Sequence, residues 1–113
     1  MKTKETTEET TKELTIARFE IGQIEAASFT HEAHVYVAWL YLNEYETREA
    51  ITRFDDALRR LVKALGVEGK YNAMITWLFL KLLAERVRVG ETWTSFRARN
   101  SDLIDERPRA RAS

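Results

Sequence analysis

The chain of 113 residues fits a single domain with a modest core. Its 18 basic and 18 acidic residues balance to a formal net charge of +0, which gives no support for a nucleic-acid or membrane-surface partner. The chain contains no cysteine, which excludes disulfides, a thiol nucleophile and thiolate metal sites. This composition is compatible with the cytoplasm, where we expect the protein to reside.

The first part of the chain is polar. Residues 1–13 consist almost entirely of Thr, Glu and Lys and predict a flexible leader, without the apolar stretch of a secretory signal peptide. Apolar side chains then recur at helical spacing over residues 14–29 and predict a first helix, which Gly22 weakens. The low count of 4 glycines and 1 proline favours long helices over a many-stranded sheet.

The next stretch, residues 31–42, is apolar on nearly every side of a helix. Thr30 is its predicted N-cap, since a threonine hydroxyl can accept a backbone N–H of the first turn. Polar side chains come mainly at the ends, such as Glu32 and Asn43. Because a helix that is apolar all round is usually buried, this segment is predicted to be the central element of the fold.

Residues 47–65 give the clearest amphipathic pattern in the chain. The apolar side chains form an inner face, and the charged side chains, Asp55 among them, are predicted to face water. Gly66 follows as the residue that closes the helix, and residues 66–70 form a loop. We interpret the charged face as a solvated surface with local ion pairs rather than as a basic binding face.

Another mostly apolar helix is predicted over residues 71–88, and a short helix follows Thr92. Residues 105–113 are predicted to be a disordered basic tail. Together these elements predict an all-α protein, namely an up-down bundle of four main helices with a short C-terminal helix. The bundle domain is expected to occupy residues 14–104.

The two histidines of the chain, His31 and His34, both lie in the first turn of the predicted central helix. Residues three apart lie on neighbouring faces of a helix and can converge on one ligand. The positive end of the helix dipole favours the neutral imidazole, which is the form that a general base or a metal ligand needs. In the alternative interpretation the two side chains only cap or pack.

A polar end of the bundle follows from the topology. Short connections make neighbouring helices antiparallel, so the second and fourth predicted helices begin at the same end. The candidate residues there are the polar His31, His34, Asn72, Thr76 and Lys70, with Tyr41, Trp39 and Phe79 as apolar walls. Glu25 is the nearest carboxylate. In the alternative interpretation Asn72 is a helix cap and the aromatic residues belong to the core.

The charges at this end favour some ligands over others. Two helix N-termini favour an anion, such as a carboxylate, over a bare cation. A divalent metal held by His31 and His34 would need further carboxylates, and Glu25 is the main one on offer. The chain has no Ser-His-Asp order, phosphate-binding loop, GxGxxG or EF-hand pattern. The pattern therefore favours either acid–base chemistry by a neutral histidine or simple binding of a small acidic molecule.

Three stretches of the chain carry a resemblance to a known pattern. They are Phe29-Thr30-His31-x-x-His34-Val35-x-x-Ala38-Trp39-Leu40-Tyr41-Leu42, then Gly69-Lys70-Tyr71-Asn72-x-x-Ile75-Thr76-Trp77, then Trp93-x-x-Phe96-x-x-x-Asn100-x-Asp102-Leu103. They resemble a family of small bacterial proteins of unassigned function with the pattern T-H-x-x-H…Y-H-E-T-x-T…W-x-x-F. The resemblance covers most of residues 29–104.

The resemblance implies a histidine-rich site, for metal binding or acid–base chemistry. His31, His34 and Thr76 match the pattern, but Asn72 stands in place of its second-motif histidine and Ala73 in place of its glutamate. The loss of one imidazole and one carboxylate weakens the case for a metal. The resemblance therefore fits a divergent member that binds without catalysing.

Two hypotheses of different class follow. In the first, a pocket lined by His31 and His34 binds a small, anionic molecule or a divalent metal, and the two histidines act as catalytic acid–base groups or as metal ligands. In the second, the histidines are structural and the protein is an interaction module or a homo-oligomer. The motive for the second is the surplus apolar surface of the two mostly apolar helices.

Overall fold

A computed structural model describes residues 15–22, 24 and 30–105. Every regular element in this part of the chain is helical, which confirms the all-α class. The elements are α1 (Ile16–Glu20), α2 (His31–Glu44), α3 (Thr47–Ala64), a 3₁₀ turn (Glu68–Lys70), α4 (Ala73–Arg86), α5 (Trp93–Arg99) and α6 (Ser101–Ile104). The predicted leader, nearly all of the predicted tail, and Glu25 lie outside the described residues.

The helix predicted over residues 14–29 is too long. In the described part of this segment, α1 ends at Glu20, and Gly22 adopts a φ of 74°. This left-handed conformation suits glycine, which has no Cβ, and it does not continue a right-handed helix. In the described ranges, the helices of seven residues or more are therefore α2, α3, α4 and α5.

Helix ends follow the local sequence closely. The Thr30 hydroxyl accepts the Ala33 N–H at 3.2 Å, which confirms Thr30 as the N-cap of α2. At the end of α3, Gly66 has a φ of 73°, and the Val67 N–H donates to the Val62 carbonyl at 2.9 Å, the long-range bond of a Schellman motif. Gly66 therefore closes α3 as predicted.

The core lies where α1, α2 and α4 pack against α3. Its fully buried members are mostly apolar and come from every helix: Phe19, Val35, Val37, Tyr41, Leu61, Leu80, Leu83, Phe96 and Ile104. The apolar face predicted for α3 forms the middle of this core, since Ala50, Phe54 and Leu58 are buried. Among the described residues, no helix has both the length and the apolar character that crossing a membrane requires.

Asp55 corrects one prediction for α3. Its side chain does not face water: the residue is 4% exposed, and Asp55 and Asn100 are the buried polar residues of the described part of the chain. It accepts hydrogen bonds from the Tyr71 hydroxyl and, at 3.0 Å, from Arg59 Nε. Asp55 is polar in sequence, but the loop after α3 folds back over it and supplies a partner that compensates for its burial.

Candidate functional site

The first turn of α2 and the first two turns of α4 meet over α3 and enclose two adjoining cavities. The first, which we call the histidine cavity, has a volume of about 230 Å³. Its lining residues are His31, His34, Ala38, Phe54, Leu58, Ile75, Thr76, Phe79 and Leu80. The walls are therefore apolar except for two imidazoles and one hydroxyl.

The second, which we call the lysine cavity, has a volume of about 380 Å³. It shares His34, Leu58, Ile75 and Thr76 with the histidine cavity, so the two spaces adjoin. Polar groups that line only this cavity are Lys70, Tyr71 and Asn72, which precede or begin α4. The structure thus brings most of the predicted site residues together: His31, His34, Lys70, Asn72, Thr76 and Phe79.

His34 stands between the two cavities and is neutral at physiological pH. Burial is the main cause that lowers its pKa from 6.5 to about 4, the neighbouring His31 lowers it further, and a backbone hydrogen bond with Thr30 acts in the opposite direction. The sequence pointed to the neutral form through the helix dipole, and the structure reaches the same form mainly through desolvation. Below neutrality this imidazole resists protonation, so it lines both cavities as an uncharged polar group.

His31 is tied to the C-terminal part of the chain. Its Nε2 lies 2.9 Å from the backbone carbonyl oxygen of Leu103, which can only accept, so Nε2–H donates. The ring also packs against Phe79, with 5.8 Å between ring centroids. These contacts place a proton on Nε2 and fix the orientation of the ring. His31 therefore joins α6 to the start of α2.

Asn72 acts as a helix cap, as in the alternative interpretation. Its Oδ1 accepts the Ile75 N–H at 3.0 Å, in the same way that Thr30 caps α2. The first turn of α4 holds no acidic side chain, so the positive end of its dipole is not offset by a local carboxylate. Asn72 thus lines the lysine cavity while its amide oxygen is engaged.

The donor set for a metal is small. Across the described ranges, no group of three or more His, Asp or Glu side chains is placed to hold a metal ion. His31 has already committed Nε2 to a backbone carbonyl. Structural and catalytic metal sites generally need at least three protein ligands. The described residues therefore do not supply the ligand set that a divalent metal at His31 and His34 requires.

Trp39 and Tyr41 line neither cavity, so their prediction as walls is wrong. Trp39 packs against Trp93, with 5.5 Å between ring centroids, and the Tyr41 hydroxyl donates to Glu20 at 2.9 Å. At about 100° per residue, Trp39 lies roughly 140° round α2 from His34. Tyr41 lies on the same side as His34 but about two turns further along the axis. Both are core residues, as in the alternative interpretation.

The sequence did not reveal the part that α3 plays in the site. Phe54 and Leu58 belong to the regular apolar face of α3, and nothing in that pattern separates a residue that lines a cavity from one that fills the core. Tyr71 was also not predicted as a site residue. In the structure its hydroxyl donates a hydrogen bond to buried Asp55, which holds Tyr71 beside the lysine cavity. Burial, followed by that bond, raises the pKa of Tyr71.

Comparison with models of protein families, with curated proteins and with solved structures finds no match to this chain. The resemblance to the T-H-x-x-H…Y-H-E-T-x-T family stays a prediction. Within the described residues, its two motifs do meet in space, since His31, His34 and Thr76 line one cavity. The proposed function therefore depends on the chain's own geometry.

Proposed function

We propose that the protein binds a small, mainly apolar organic acid across the histidine and lysine cavities. The observation that carries this proposal is the junction of the two cavities at His34 and Thr76, with apolar walls on one side and Lys70 on the other. The apolar body of the ligand lies in the histidine cavity, and its acid group faces Lys70. The lysine cavity, at about 380 Å³, falls within the range of about 300–1,000 Å³ that is typical of ligand pockets, and the adjoining histidine cavity adds about 230 Å³.

The polar groups at the junction supply orientation. The Thr76 hydroxyl can donate or accept a hydrogen bond, so it suits a carboxyl, carbonyl or hydroxyl group of the ligand, and neutral His34 adds no charge beside it. Lys70 is exposed and contributes a modest electrostatic attraction. The α4 N-terminus, which lacks an acidic residue in its first turn, adds to the preference for an anion. These contributions agree with the anionic ligand expected from the sequence.

Binding fits these residues better than catalysis does. A general base works best when its pKa lies near the operating pH, and His34 has a pKa of about 4. His31 holds the Leu103 carbonyl through Nε2, which ties up one of its two nitrogens. We therefore assign the two histidines to orienting a ligand rather than to moving its protons. The cytoplasm remains the proposed location, because a chain without cysteine gains nothing from an oxidising compartment.

A matched pair of probes tests the proposal: 4-phenylbutanoate and its uncharged amide, 4-phenylbutanamide. We expect saturable binding of both, followed by amide chemical-shift changes at His34 and Thr76, with the acid binding about three- to tenfold more tightly. Lys70→Ala should reduce the advantage of the acid over the amide, whereas Lys63→Ala, on the exposed end of α3, should change neither. If neither probe shifts the resonances of cavity residues, the proposal is wrong.

A second variant tests the location without removing a charge. Ala38→Leu adds three carbons to the wall of the histidine cavity and should weaken both probes by about tenfold or more, because it occupies the space of the apolar body. Ala84→Leu is the control, since Ala84 lies on α4 beside a separate groove. Equal binding by the two variants would exclude the histidine cavity as the binding site.

A further inference from the structure

One face of α4 is apolar and open to solvent. Met74 is 71% exposed, Ile75 64% and Leu78 61%, and Trp77 and Leu82 are each exposed by more than a third. We call these five residues the α4 face. At about 100° per residue they span roughly 160° of the helix circumference, beginning in the first turn. Leu80 and Leu83 are the buried residues of α4, so the helix docks through a narrow stripe.

This concentration is unusual for a monomer's surface. Elsewhere in the described part of the chain, the large apolar side chains of comparable exposure are Ile21 and Val89, and they stand apart from each other in sequence. Single exposed apolar residues are ordinary, but contiguous patches mark places where another molecule binds. We therefore expect another molecule or another segment of the chain to bury the α4 face.

Most of the chain outside the described ranges is chemically unsuited to that role. Apart from Met1, residues 1–13 contain only Lys, Thr and Glu, and residues 106–113 contain Glu, Arg, Pro, Ala and Ser. Neither stretch carries apolar side chains that would bury Leu78 or Met74. A lipid surface is also disfavoured, because Lys81 within the face and Glu85 just beyond it carry opposite charges, and the chain as a whole has a formal net charge of +0.

We propose that the α4 face is the contact surface between two copies of this chain, with their α4 helices antiparallel about a two-fold axis near Leu78. A two-fold interface needs a self-complementary patch, and an apolar helix stripe meets that need. Antiparallel pairing sets Met74 of each copy near Leu82 of the other. Lys81 lies within the face, opposite Ile75 of the other copy, and its long side chain can extend along the partner helix to keep the ammonium in water, whereas Glu85 lies beyond the end of the contact.

The exposed area is sufficient for such a pair. At the exposed fractions given above, the five side chains present roughly 500 Å² per copy, so a two-fold pair removes about 1,000 Å² from water. That area reaches the lower limit for a specific interface before flanking residues are counted. The pair overlaps the proposed ligand site at Ile75, which lines both cavities, whereas Met74, Leu78 and Leu82 line neither the histidine cavity nor the lysine cavity.

Sedimentation equilibrium of the full chain tests the pair directly. The wild-type protein should be a dimer at about 100 µM, and Leu78→Glu should weaken dimerisation by about 100-fold or more, because two carboxylates would face each other at the axis. Val89→Glu introduces the same charge at a fully exposed apolar residue outside the face and should leave the dimer intact. A wild-type monomer, or equal effects of the two variants, would overturn the proposal.

Cross-linking gives a second readout that does not depend on a destabilised variant. Because the chain has no cysteine, Leu78→Cys introduces a single thiol. Near a two-fold axis this thiol meets its own copy and should form a disulfide-linked dimer under mild oxidation, whereas Val89→Cys should stay monomeric under denaturing electrophoresis. Absence of the link at Leu78, with a wild-type dimer in solution, would place the interface elsewhere and overturn the assignment to α4.

Discussion

Helices α2 and α4 are alike in sequence and different in burial. Each has 14 residues, is rich in apolar side chains and shows little one-sided patterning. Yet α2 buries six of its residues, from Ala33 to Tyr41, whereas α4 buries Leu80 and Leu83. The surroundings cause the difference: α1, α3, α4 and α6 contact α2, whereas α4 packs against α2 and α3. A helix with apolar side chains on every side tends to be buried. How much of its surface is buried within the same chain depends on how many other helices pack against it.

The sharpest test of this contrast places one charge in each helix. Val37→Glu buries a carboxylate in a fully enclosed site of α2 and should lower the free energy of unfolding by at least about 4 kcal/mol. Leu78→Glu places the same group in water on α4 and should cost less than about 1 kcal/mol, since glutamate is a good helix former.

Urea denaturation followed by circular dichroism measures both values, at a protein concentration low enough to populate the monomer. Similar losses for the two variants would mean that α4 is as enclosed as α2, and the contrast between the two helices would fail.

The first turn of α2 is also more buried than the first turn of α4, and the burial of His34 predicts that stability depends on pH. His34 is largely buried in α2, and its folded-state pKa of about 4 lies below the unfolded value of 6.5. As the pH falls from 6.5 towards 4, the unfolded chain therefore takes up this proton first. The stability is complete above about pH 6.5 and declines below it, by about 2 kcal/mol near pH 4 after allowance for partial exposure.

Replacing the imidazole isolates this effect from the titration of the carboxylates. His34→Gln should lose the part of the slope between pH 6.5 and 4 that His34 causes, while Asn72→Ser, at the exposed start of α4, adds no titrating group and should retain it. The measurement is the difference in unfolding free energy between variant and wild type across that range. A parallel pH profile for His34→Gln and wild type would show that His34 is not buried as the structure has it.

The helix caps predict the smallest effects, and here the two helices should behave alike. Thr30 caps α2 and Asn72 caps α4 through equivalent side-chain bonds of 3.2 and 3.0 Å. Thr30→Ala and Asn72→Ala should each lower the free energy of unfolding by about 1 kcal/mol. Thr52→Ala, at an exposed position within α3, is the control and should be neutral or slightly stabilising. A cap effect confined to α2 would mean that the start of α4 contributes little to the fold.

Local features of the fold were predictable because they depend on near neighbours in the chain. Thr30 and Gly66 take the roles that their chemistry favours at the two ends of a helix. Helix α3 was clear from its one-sided pattern, although Asp55 was assigned to solvent. That error has a physical cause: the partner that makes its burial acceptable, Tyr71, is 16 residues away in sequence.

The candidate site shows the same division. Spacing alone put His31 and His34 in one turn of a helix, and short connections brought Thr76 towards them. Whether an aromatic side chain lines a cavity or fills the core depends on which helix packs beside it. Trp39 was therefore misassigned, and the contribution of Leu58 was not foreseen.

The sequence by itself determined the helical class, the start of α2 at Thr30, the end of α3 at Gly66 and the placement of two histidines in one helical turn, because hydrogen bonding and side-chain periodicity act over a few residues. Only the tertiary structure decided the neutral state of His34 through burial, the two cavities at the start of α4 and the open α4 face. These properties depend on desolvation and on the space between helices, which arise from contacts between residues far apart in the chain.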